Sequence, residues 1–332
     1  MTRIAVLGAG SWGTTLANLL AEKGHDVTIW AYEPEVVESI NGAHENRIFL
    51  PGATLSPALR AVGDAREAVT GAPVVLSAAP SHAVRSVAAS VRGAVAPGTI
   101  VVSATKGIEN ESLALMSQVV AEALPGIRFA ALSGPSFAKE VHERQPTAVV
   151  AAADDPEVAR TTQEIFATRR FRVYSHGDVI GVELAGALKN VIAVAAGILE
   201  GLGLGHNPRA ALLTRGLAEI TRLGIAMGAD PMTFAGLAGM GDLILTATGS
   251  LSRNRALGIA LAGGESLAEY TARHRTVAEG ALTSRAAAAL AVRQGVEMPV
   301  TEKVCGILFD GKSAAEAAAE LMERDLKSEQ WR

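Results

Sequence analysis

The sequence predicts two domains: an α/β domain with a doubly wound, mainly parallel sheet over residues 1–178, and an all-α domain over residues 179–332. The length of 332 residues is enough for about two hydrophobic cores. Up to about residue 177, short β-rich runs alternate with stretches of helix length, which is the pattern of strand–helix–strand units. Beyond that point the strand patterns stop, and long helical patterns rich in Ala, Leu and Ile follow.

The first half contains seven runs with the composition of strands. Five are predicted to be buried and parallel, and two more to extend the same sheet. The five are 3–8, 26–30, 73–78, 99–104 and 128–134, and the two are 147–152 and 171–175.

The second half is predicted to contain helices with recognisable ends. Pro208 and Pro299 stand where first-turn prolines belong, and glycines such as Gly228, Gly263 and Gly295 follow helix ends. The helices are 179–202, 208–227, 252–261, 279–294, 299–309 and 313–323. Because the junction near residue 177 is short, we expect the two domains to pack tightly and to share a cleft.

Composition excludes several classes of protein. The net charge is −4 and there is no block of basic residues, which argues against nucleic acid as the main partner. The single cysteine, Cys305, cannot form an intramolecular disulfide and fits a reducing cytoplasm. A strand pattern begins at the N-terminus, so we expect no signal or transit peptide.

The apolar run at residues 179–199 is the one candidate for a membrane span. It contains Glu183, Lys189 and Asn190, and a charge near the centre of a span costs roughly 2.5–3.5 kcal/mol. A buried core helix is the better interpretation, so we expect a protein without a membrane span.

Three glycines indicate a dinucleotide site. Gly8, Gly10 and Gly13 have the spacing G-x-G-x-x-G directly after the first strand, at the start of a helix predicted over residues 12–23. The first glycine allows a tight turn, the second lets backbone amides approach a pyrophosphate, and the third lets the helix pack on the strand. This context favours a Rossmann-like domain over a merely glycine-rich turn.

The residue expected to contact the adenosine ribose does not show whether the cofactor is NAD or NADP. The second strand ends in "WAYEPE", where Tyr32 occupies the candidate position and Glu33 follows it. No aspartate stands at the end of the strand to hold a ribose, and no arginine replaces it to bind a 2′-phosphate. The residues therefore do not decide between NAD and NADP.

Two polar clusters follow strands of the first domain. "SATKGIE" places Lys106 and Gly107 after a strand, at the edge where open α/β sheets bind ligands. "SGPSFAKE" offers Ser136 and backbone amides after another strand. The alternatives are a surface lysine and an ordinary strand–helix connection.

Two further clusters lie at predicted helix starts of the second domain. "GMGDLILT" places Asp242 after a glycine-rich loop, either as a site residue or as an N-cap. "SRNRA" combines the hydroxyl of Ser252, the guanidinium of Arg253 and the amide of Asn254 with free backbone N–H groups. That combination suits a phosphate, although a plain N-cap beside a solvated arginine is the alternative.

Lys189 interrupts the most apolar helix. Its neighbours three and four residues away include Ala185, Gly186, Ile192 and Ala193, none of which is an acid. One interpretation is a lysine whose ammonium reaches solvent at the helix edge. The other is a proton donor in the cleft between the domains, where it would serve a carbonyl reduced by a nicotinamide cofactor.

Together these features predict a hydride-transfer enzyme. No Ser-His-Asp order, Cys/His metal spacing or Walker loop competes with that interpretation. One rival is a related dehydrogenase of a hydroxy acid, which would need a carboxylate clamp. The other is a non-catalytic NAD(P)-sensing module, which would not need Lys189 or Asp242.

A series of motifs carries a family resemblance over nearly the whole chain. In order they are "GAGSWGTTLA", "PSHAV", "ATKGIE", "SGPSFAKE", "GVELAGALKN", "NPRAALLTRGLAE", "AGMGDL" and "SRNR". They resemble the bacterial NAD(P)-dependent glycerol-3-phosphate dehydrogenases. The resemblance implies reversible reduction of dihydroxyacetone phosphate to sn-glycerol 3-phosphate, the entry to phospholipid synthesis.

The resemblance also implies a role for each matching residue, with Lys189 as the acid/base. The residues implied around the substrate are Lys106, Gly134, Ser136, Lys189, Asp242, Ser252, Arg253 and Asn254. Those implied at the cofactor, beside the three glycines, are Ser11, Trp12, Tyr32, Lys106, Ala138, Arg253, Val277 and Glu279. Two positions depart from the family: Tyr32 replaces a frequent histidine or arginine, and Ser136 replaces a frequent threonine.

Overall fold

The computed structural model describes residues 1–274, 278–325 and 328–329. Val277, one of the implied cofactor residues, therefore lies outside the described residues. The described strands are β1 (Arg3–Leu7), β2 (Asp26–Trp30), β3 (Glu45–Asn46), β4 (Leu50–Thr54), β5 (Arg60–Val62), β6 (Val74–Ser77), β7 (Ile100–Ser103), β8 (Arg128–Ser133), β9 (Thr147–Ala152) and β10 (Phe171–His176).

Eight of these strands form one sheet in the order β10-β9-β8-β7-β6-β1-β2-β5. Strands β1, β2, β5, β6, β7 and β8 are parallel, whereas β9 pairs antiparallel with β8 and parallel with β10. All seven predicted strands are confirmed, including the two that extend the sheet. The edge strand β5 and the small β3–β4 hairpin were missed, because segments of two or three residues, or segments containing proline and glycine, lack a strand pattern.

The sheet is buried on both faces, as a doubly wound sheet requires. Along β1, Ile4 and Val6 belong to one hydrophobic cluster, and Ala5 and Leu7 belong to another. Successive side chains of a strand point to opposite faces, so the two clusters are the cores above and below the sheet.

The helices of the N-terminal part are α1 (Ser11–Glu22), α2 (Pro34–Ala43), α3 (Ala65–Val69), α4 (Val84–Ser90), α5 (Met116–Ala123), α6 (Ala138–His142) and α7 (Pro156–Phe166). Those of the second part are α8 (Val179–Gly201), α9 (His206–Ala226), α10 (Pro231–Ala235), α11 (Asp242–Thr248), α12 (Arg253–Ala262), α13 (Leu267–Arg273), α14 (Glu279–Gln294), α15 (Pro299–Phe309) and α16 (Ala314–Met322). The six predicted helices are confirmed within two residues at each end. The shorter α10 and α13 were missed, whereas α11 begins at Asp242, where a helix start was predicted.

The predicted glycine-rich loop before Asp242 is wrong. Residues Leu237–Gly241 form a π-helical turn that continues directly into α11. A Cβ on Gly239 would lie 2.1 Å from the carbonyl oxygen of Phe234, so the glycine lets this turn close tightly on the chain before it. Short π-helical segments are frequent at functional sites.

Helix α8 is the centre of the helical part. It is the one described helix long and apolar enough to cross a membrane, but 94% of its most apolar stretch is buried inside the protein, so it is a core helix. Helix α12 crosses it at two glycines. A Cβ on Gly197 would lie 2.1 Å from the carbonyl oxygen of Arg255, and one on Gly258 would lie 2.0 Å from that of Val194.

The junction between the two parts is short, as predicted. Strand β10 ends at His176 and α8 begins at Val179. Asp178 caps α8 by accepting a hydrogen bond from the Gly181 N–H at 2.8 Å, and its other oxygen accepts one from the Thr233 hydroxyl at 2.6 Å. The junction is therefore tied both to α8 and to α10.

Candidate active site

The glycine loop has the geometry that a dinucleotide requires. Gly8 has a φ of +112°, and a Cβ on it would lie 2.9 Å from the backbone nitrogen of Ala79. A Cβ on Gly13 would lie 2.0 Å from the carbonyl oxygen of Gly8, so only glycine lets α1 pack there. Gly10, in contrast, faces open space to 4 Å, and no side chain caps α1, so its first amides are available to a phosphate.

Ser11 and Trp12 form the first turn of α1 beside this loop. The indole of Trp12 packs against the ring of Phe171, with 6.4 Å between the centroids. At the end of β2, Tyr32 is 81% exposed, and Glu33 stands at the N-cap of α2 without a capping hydrogen bond. Ala138 begins α6, and its carbonyl accepts a hydrogen bond from Thr15 on α1 at 3.3 Å.

Lys189 is buried and paired, so the interpretation of a lysine reaching solvent is wrong. Its side chain is 7% exposed, and its Nζ lies 2.8 Å from Oδ1 of Asp242. The Nζ also donates a hydrogen bond to the hydroxyl of Thr246, one turn further along α11. The partner that the local sequence of α8 does not provide comes from another helix, 53 residues away.

Asp242 joins two lysines. Its side chain is 1% exposed, and while Oδ1 accepts from Lys189, Oδ2 accepts from Nζ of Lys106 at 2.6 Å. Both carboxylate oxygens are thus used by ammonium groups, so Asp242 is not the simple N-cap that was the alternative. Lys106 comes from the loop after β7, so this carboxylate connects the dinucleotide-binding part to the helical part.

The surroundings of Lys189 lower the pKa of its ammonium group, which still predominates at pH 7. Burial removes water from the ammonium and lowers the pKa of Lys189 to about 8, and the positive charges of Lys106 and Arg253 act in the same direction. Asp242 opposes them, because its negative charge and hydrogen bond stabilise the ammonium. A lysine with this pKa can both donate and accept a proton near neutral pH.

Lys106 donates a hydrogen bond at the end of β8, in addition to its ion pair with Asp242. Its Nζ donates to the carbonyl oxygen of Gly134 at 3.1 Å, and Ser136 donates to the same oxygen at 2.9 Å. Gly134 has a φ of +137°, and a Cβ on it would lie 2.9 Å from Cα of Val149. A Cβ on Gly186 of α8 would lie 2.7 Å from the hydroxyl oxygen of Ser133, so that glycine lets α8 pack closely on the end of β8 beside Lys106.

The three polar residues at the start of α12 have different environments. Ser252 is buried and caps the helix by accepting a hydrogen bond from the N–H of Arg255 at 3.2 Å. Asn254 is also buried: its Nδ2 donates to Oδ1 of Asn190, and its Oδ1 accepts from the Gly280 N–H, both at 2.9 Å. Arg253 is exposed as a residue, but partial burial of its guanidinium lowers its pKa; the guanidinium makes no hydrogen bond or ion pair with a described residue and is available to a ligand.

Glu279, the first residue of α14, contacts the loop after β6. Its Oε1 accepts from the backbone N–H of Ser81 at 3.2 Å, and its Oε2 from the hydroxyl of Ser81 at 2.6 Å. The Glu279 carboxylate also attracts the guanidinium of Arg253 electrostatically. The implied cofactor residue Glu279 and the implied phosphate ligand Arg253 are therefore neighbours.

The structure adds residues to the site that the sequence did not single out: Thr246, Asn190 and Ser81. Thr246 lies four residues after Asp242, a spacing that places both on one face of the helix predicted to begin at Asp242, so this signal could have found it. Among the described residues, no group of three or more His, Cys, Asp or Glu side chains could hold a metal ion.

A glycine-rich dinucleotide loop on a doubly wound sheet, together with a lysine–carboxylate cluster that joins the sheet to the helical part, defines a class, the dehydrogenases that reduce a carbonyl with a nicotinamide cofactor. Matches of the sequence to family models identify the family within that class. The model of the NAD-dependent glycerol-3-phosphate dehydrogenase N-terminus matches residues 3–159, and that of the C-terminus matches residues 178–319. The chain belongs to the NAD-dependent glycerol-3-phosphate dehydrogenase family.

Individual relatives agree with that assignment. A protein of Geobacter sulfurreducens named glycerol-3-phosphate dehydrogenase (NAD(P)+) is 57% identical, and the match covers 99% of both chains. A crystal structure of a glycerol-3-phosphate dehydrogenase from Coxiella burnetii is 40% identical, covers 97% of this chain and 99% of its own, and has a TM-score of 0.94. The yeast enzyme is 28% identical over 97% of this chain and 99% of its own, with a TM-score of 0.83.

Proposed function

We propose that the chain is an NAD(P)-dependent glycerol-3-phosphate dehydrogenase that reversibly reduces dihydroxyacetone phosphate to sn-glycerol 3-phosphate, with Lys189 as general acid and base. The main support for this role is that Lys189 is buried, with its Nζ 2.8 Å from Asp242, and that Lys106 binds the same carboxylate. A buried ion pair with one unneutralised positive charge suits a reaction in which negative charge develops on an oxygen.

The proton chemistry follows from this cluster. A nicotinamide cofactor, when bound, would supply the hydride for the carbonyl carbon. Lys189 stabilises the developing oxyanion through its ammonium and then donates the proton to that oxygen. In the oxidative direction the neutral amine of Lys189 takes the proton from the hydroxyl. Asp242 holds the ammonium in place, and Lys106 adds positive charge beside the same oxygen.

The phosphate of the substrate is proposed to bind at the start of α12. Arg253 brings the only unpaired guanidinium of this helix's first turn within the described residues, and α12 directs its backbone amides to the same side. Ser252 and Asn254 support this arrangement chiefly by fixing the helix start, since both side chains already have partners in the protein. Gly134 and Ser136 would line the opposite wall with Lys106.

The cofactor is proposed to lie along the glycine loop. Gly8, Gly10 and Gly13 would accommodate its pyrophosphate, and Tyr32 the ribose of its adenosine. The other proposed contacts are Ser11, Trp12, Lys106, Ala138, Arg253, Val277 and Glu279.

The wider setting is also a proposal. We place the domain boundary between residues 178 and 179, where β10 has ended and α8 begins. We expect the enzyme to work in the cytoplasm and to supply sn-glycerol 3-phosphate for phospholipid synthesis. A homodimer is part of the proposal, with no interface assigned to it.

Oxidation of NADH and NADPH by the purified chain tests the proposed activity. Dihydroxyacetone phosphate should be reduced rapidly, whereas unphosphorylated dihydroxyacetone and a 2-oxo acid of similar size should react slowly. Turnover of the 2-oxo acid in preference to the phosphate ester would indicate a hydroxy-acid dehydrogenase instead. Binding of the cofactor with no turnover of any carbonyl would indicate a sensing module.

A further inference from the structure

Ser81 connects the two halves of the site but belongs to neither proposed set of ligands. It is 3% exposed and lies in the loop after β6, in a short 3₁₀ helix over Ser81–Ala83. With its N–H and its hydroxyl it donates to both carboxylate oxygens of Glu279, at 3.2 and 2.6 Å. Two hydrogen bonds from one small residue hold a charged carboxylate in a defined orientation.

The loop that carries Lys106 packs on the same serine. A Cβ on Gly107 would lie 2.4 Å from Cβ of Ser81 and 3.4 Å from Oε2 of Glu279, so the loop after β7 fits there only because residue 107 is glycine. The hydroxyl of Thr105 also donates to the carbonyl oxygen of Ala79 at 2.7 Å. The loops after β6 and β7 thus meet the first turn of α14 at Ser81.

From α14 the contacts continue to the phosphate side. The N–H of Gly280, the residue after Glu279, donates to Oδ1 of Asn254 at 2.9 Å, and Asn254 donates to Asn190. Asn190 directly follows Lys189 on α8. A shift of the first turn of α14 would therefore move the start of α12 relative to the catalytic lysine.

We propose that Ser81 is a positioning residue that holds the first turn of α14, so that Glu279 on the cofactor side and Asn254 on the phosphate side keep one common arrangement. The inference rests on the proposed function, because it assigns cofactor and phosphate to these two sides. In this proposal Ser81 makes no direct contact with cofactor or phosphate. Its effect is exerted through Glu279, and this distinguishes it from a residue that merely stabilises the fold.

A double-mutant cycle on NADH binding tests this role. Ser81→Ala should weaken NADH binding at least fivefold and raise the KM for dihydroxyacetone phosphate, because the carboxylate loses its stronger donor. In a Glu279→Ala background the same Ser81→Ala change should alter the Kd of NADH by less than twofold. Ser86→Ala is the matched control, since the hydroxyl of exposed Ser86 donates only to the carbonyl oxygen of Ala83.

Additive effects of the two substitutions, or unchanged NADH binding in Ser81→Ala, would overturn the proposal. If Ser81→Ala does not fold, Ser81→Cys replaces the hydroxyl with a weaker donor at the same place, and it should weaken NADH binding in the wild-type background but not in the Glu279→Ala background. Fluorescence of bound NADH is measured without turnover. An enzyme that binds NADH but does not reduce dihydroxyacetone phosphate would contradict the proposed function and leave the outcome for Ser81 readable.

Discussion

Lys189 of α8 and Asp242 of α11 form a buried ion pair, with 2.8 Å between Nζ and Oδ1. The other oxygen of the same carboxylate binds Lys106 at 2.6 Å. One negative charge is therefore shared by two positive charges in a region where little water can screen them. The cluster keeps a net positive charge that an oxyanion of the substrate can neutralise, and this excess links the ion pair to catalysis.

Asp242→Asn should change the pH dependence of the reaction. With the pKa of Lys189 at about 8, reduction of dihydroxyacetone phosphate, which needs the ammonium, should decline above about pH 8. Oxidation of sn-glycerol 3-phosphate, which needs the neutral amine, should increase up to that pH. Asp242 holds the pKa of Lys189 up, so its removal should lower that pKa and move the alkaline decline of reduction to lower pH.

The measurement is kcat/KM for reduction from pH 6 to 10 in both enzymes. The decline should move by about one pH unit or more, as expected for the loss of a close opposite charge. Asp310→Asn is the control, because Asp310 is exposed at the end of α15. If kcat/KM declines at the same alkaline pH in Asp242→Asn as in the wild type, Asp242 does not set the pKa of the proton donor.

Arg253→Ala should affect the phosphorylated substrate selectively. Its guanidinium has no ion-pair partner within the described residues and stands at the start of α12. Loss of a charge-assisted bond to phosphate should raise the KM for dihydroxyacetone phosphate by roughly 10–100-fold. Activity with unphosphorylated dihydroxyacetone should change much less.

Steady-state kinetics with both substrates measure this difference, together with the Kd of NADH, since Arg253 also neighbours Glu279. Arg293→Ala on α14 serves as the control for loss of an exposed arginine. Equal losses with both substrates would show that Arg253 does not bind the phosphate.

NADH and NADPH should both be used, within about tenfold of each other, which corresponds to about 1.4 kcal/mol. Tyr32 is 81% exposed and brings no charge for a 2′-phosphate, and Glu33 opposes one only if its carboxylate turns toward the ribose. Initial rates with each cofactor measure the preference. A preference of a thousandfold for either cofactor would mean that a residue other than Tyr32 and Glu33 recognises the 2′ position of the ribose.

Glu183→Gln should reduce the pH dependence of stability. Burial raises the pKa of Glu183 from near 4.5 to about 7, against the hydrogen bonds from Ser117 on α5. Between these values the folded chain holds a proton that the unfolded chain has released, so stability falls as pH rises from 4.5 to 7 and then stays low. A glutamine cannot titrate, so the variant should lose less stability over this range, by up to about 3 kcal/mol.

Urea unfolding at pH 5 and pH 8 gives the required free energies of unfolding. Glu219, whose pKa is also raised to about 7 by burial, is present in both proteins and cancels in the comparison. The exposed Glu38→Gln variant controls for loss of a carboxylate. The same fall in stability for Glu183→Gln and the wild type would mean that Glu183 remains ionised in the folded protein.

The sequence was sufficient to predict the strands of the sheet, the long helices and the glycine loop, because each depends on a local pattern. It also singled out Lys189 and Asp242 separately. It could not show that they meet, since their 53-residue separation is closed by the packing of α11 on α8. The π-helical turn and the contact of Ser81 with Glu279 were missed for the same reason: each depends on what packs against the segment rather than on its own residues.

The most direct test of the proposed acid and base role of Lys189 is the kcat of the Lys189→Met variant. Methionine has a similar length and no charge, and Asp242 keeps Lys106 as a partner, so the variant should fold and bind NADH normally. Its kcat should fall by roughly 10²–10⁴-fold, the scale of general acid–base catalysis, while Lys139→Met, which removes a lysine that is 66% exposed, should remain active. A correctly folded Lys189→Met enzyme that retains more than about a tenth of the wild-type kcat would contradict the assignment of Lys189 as the acid and base.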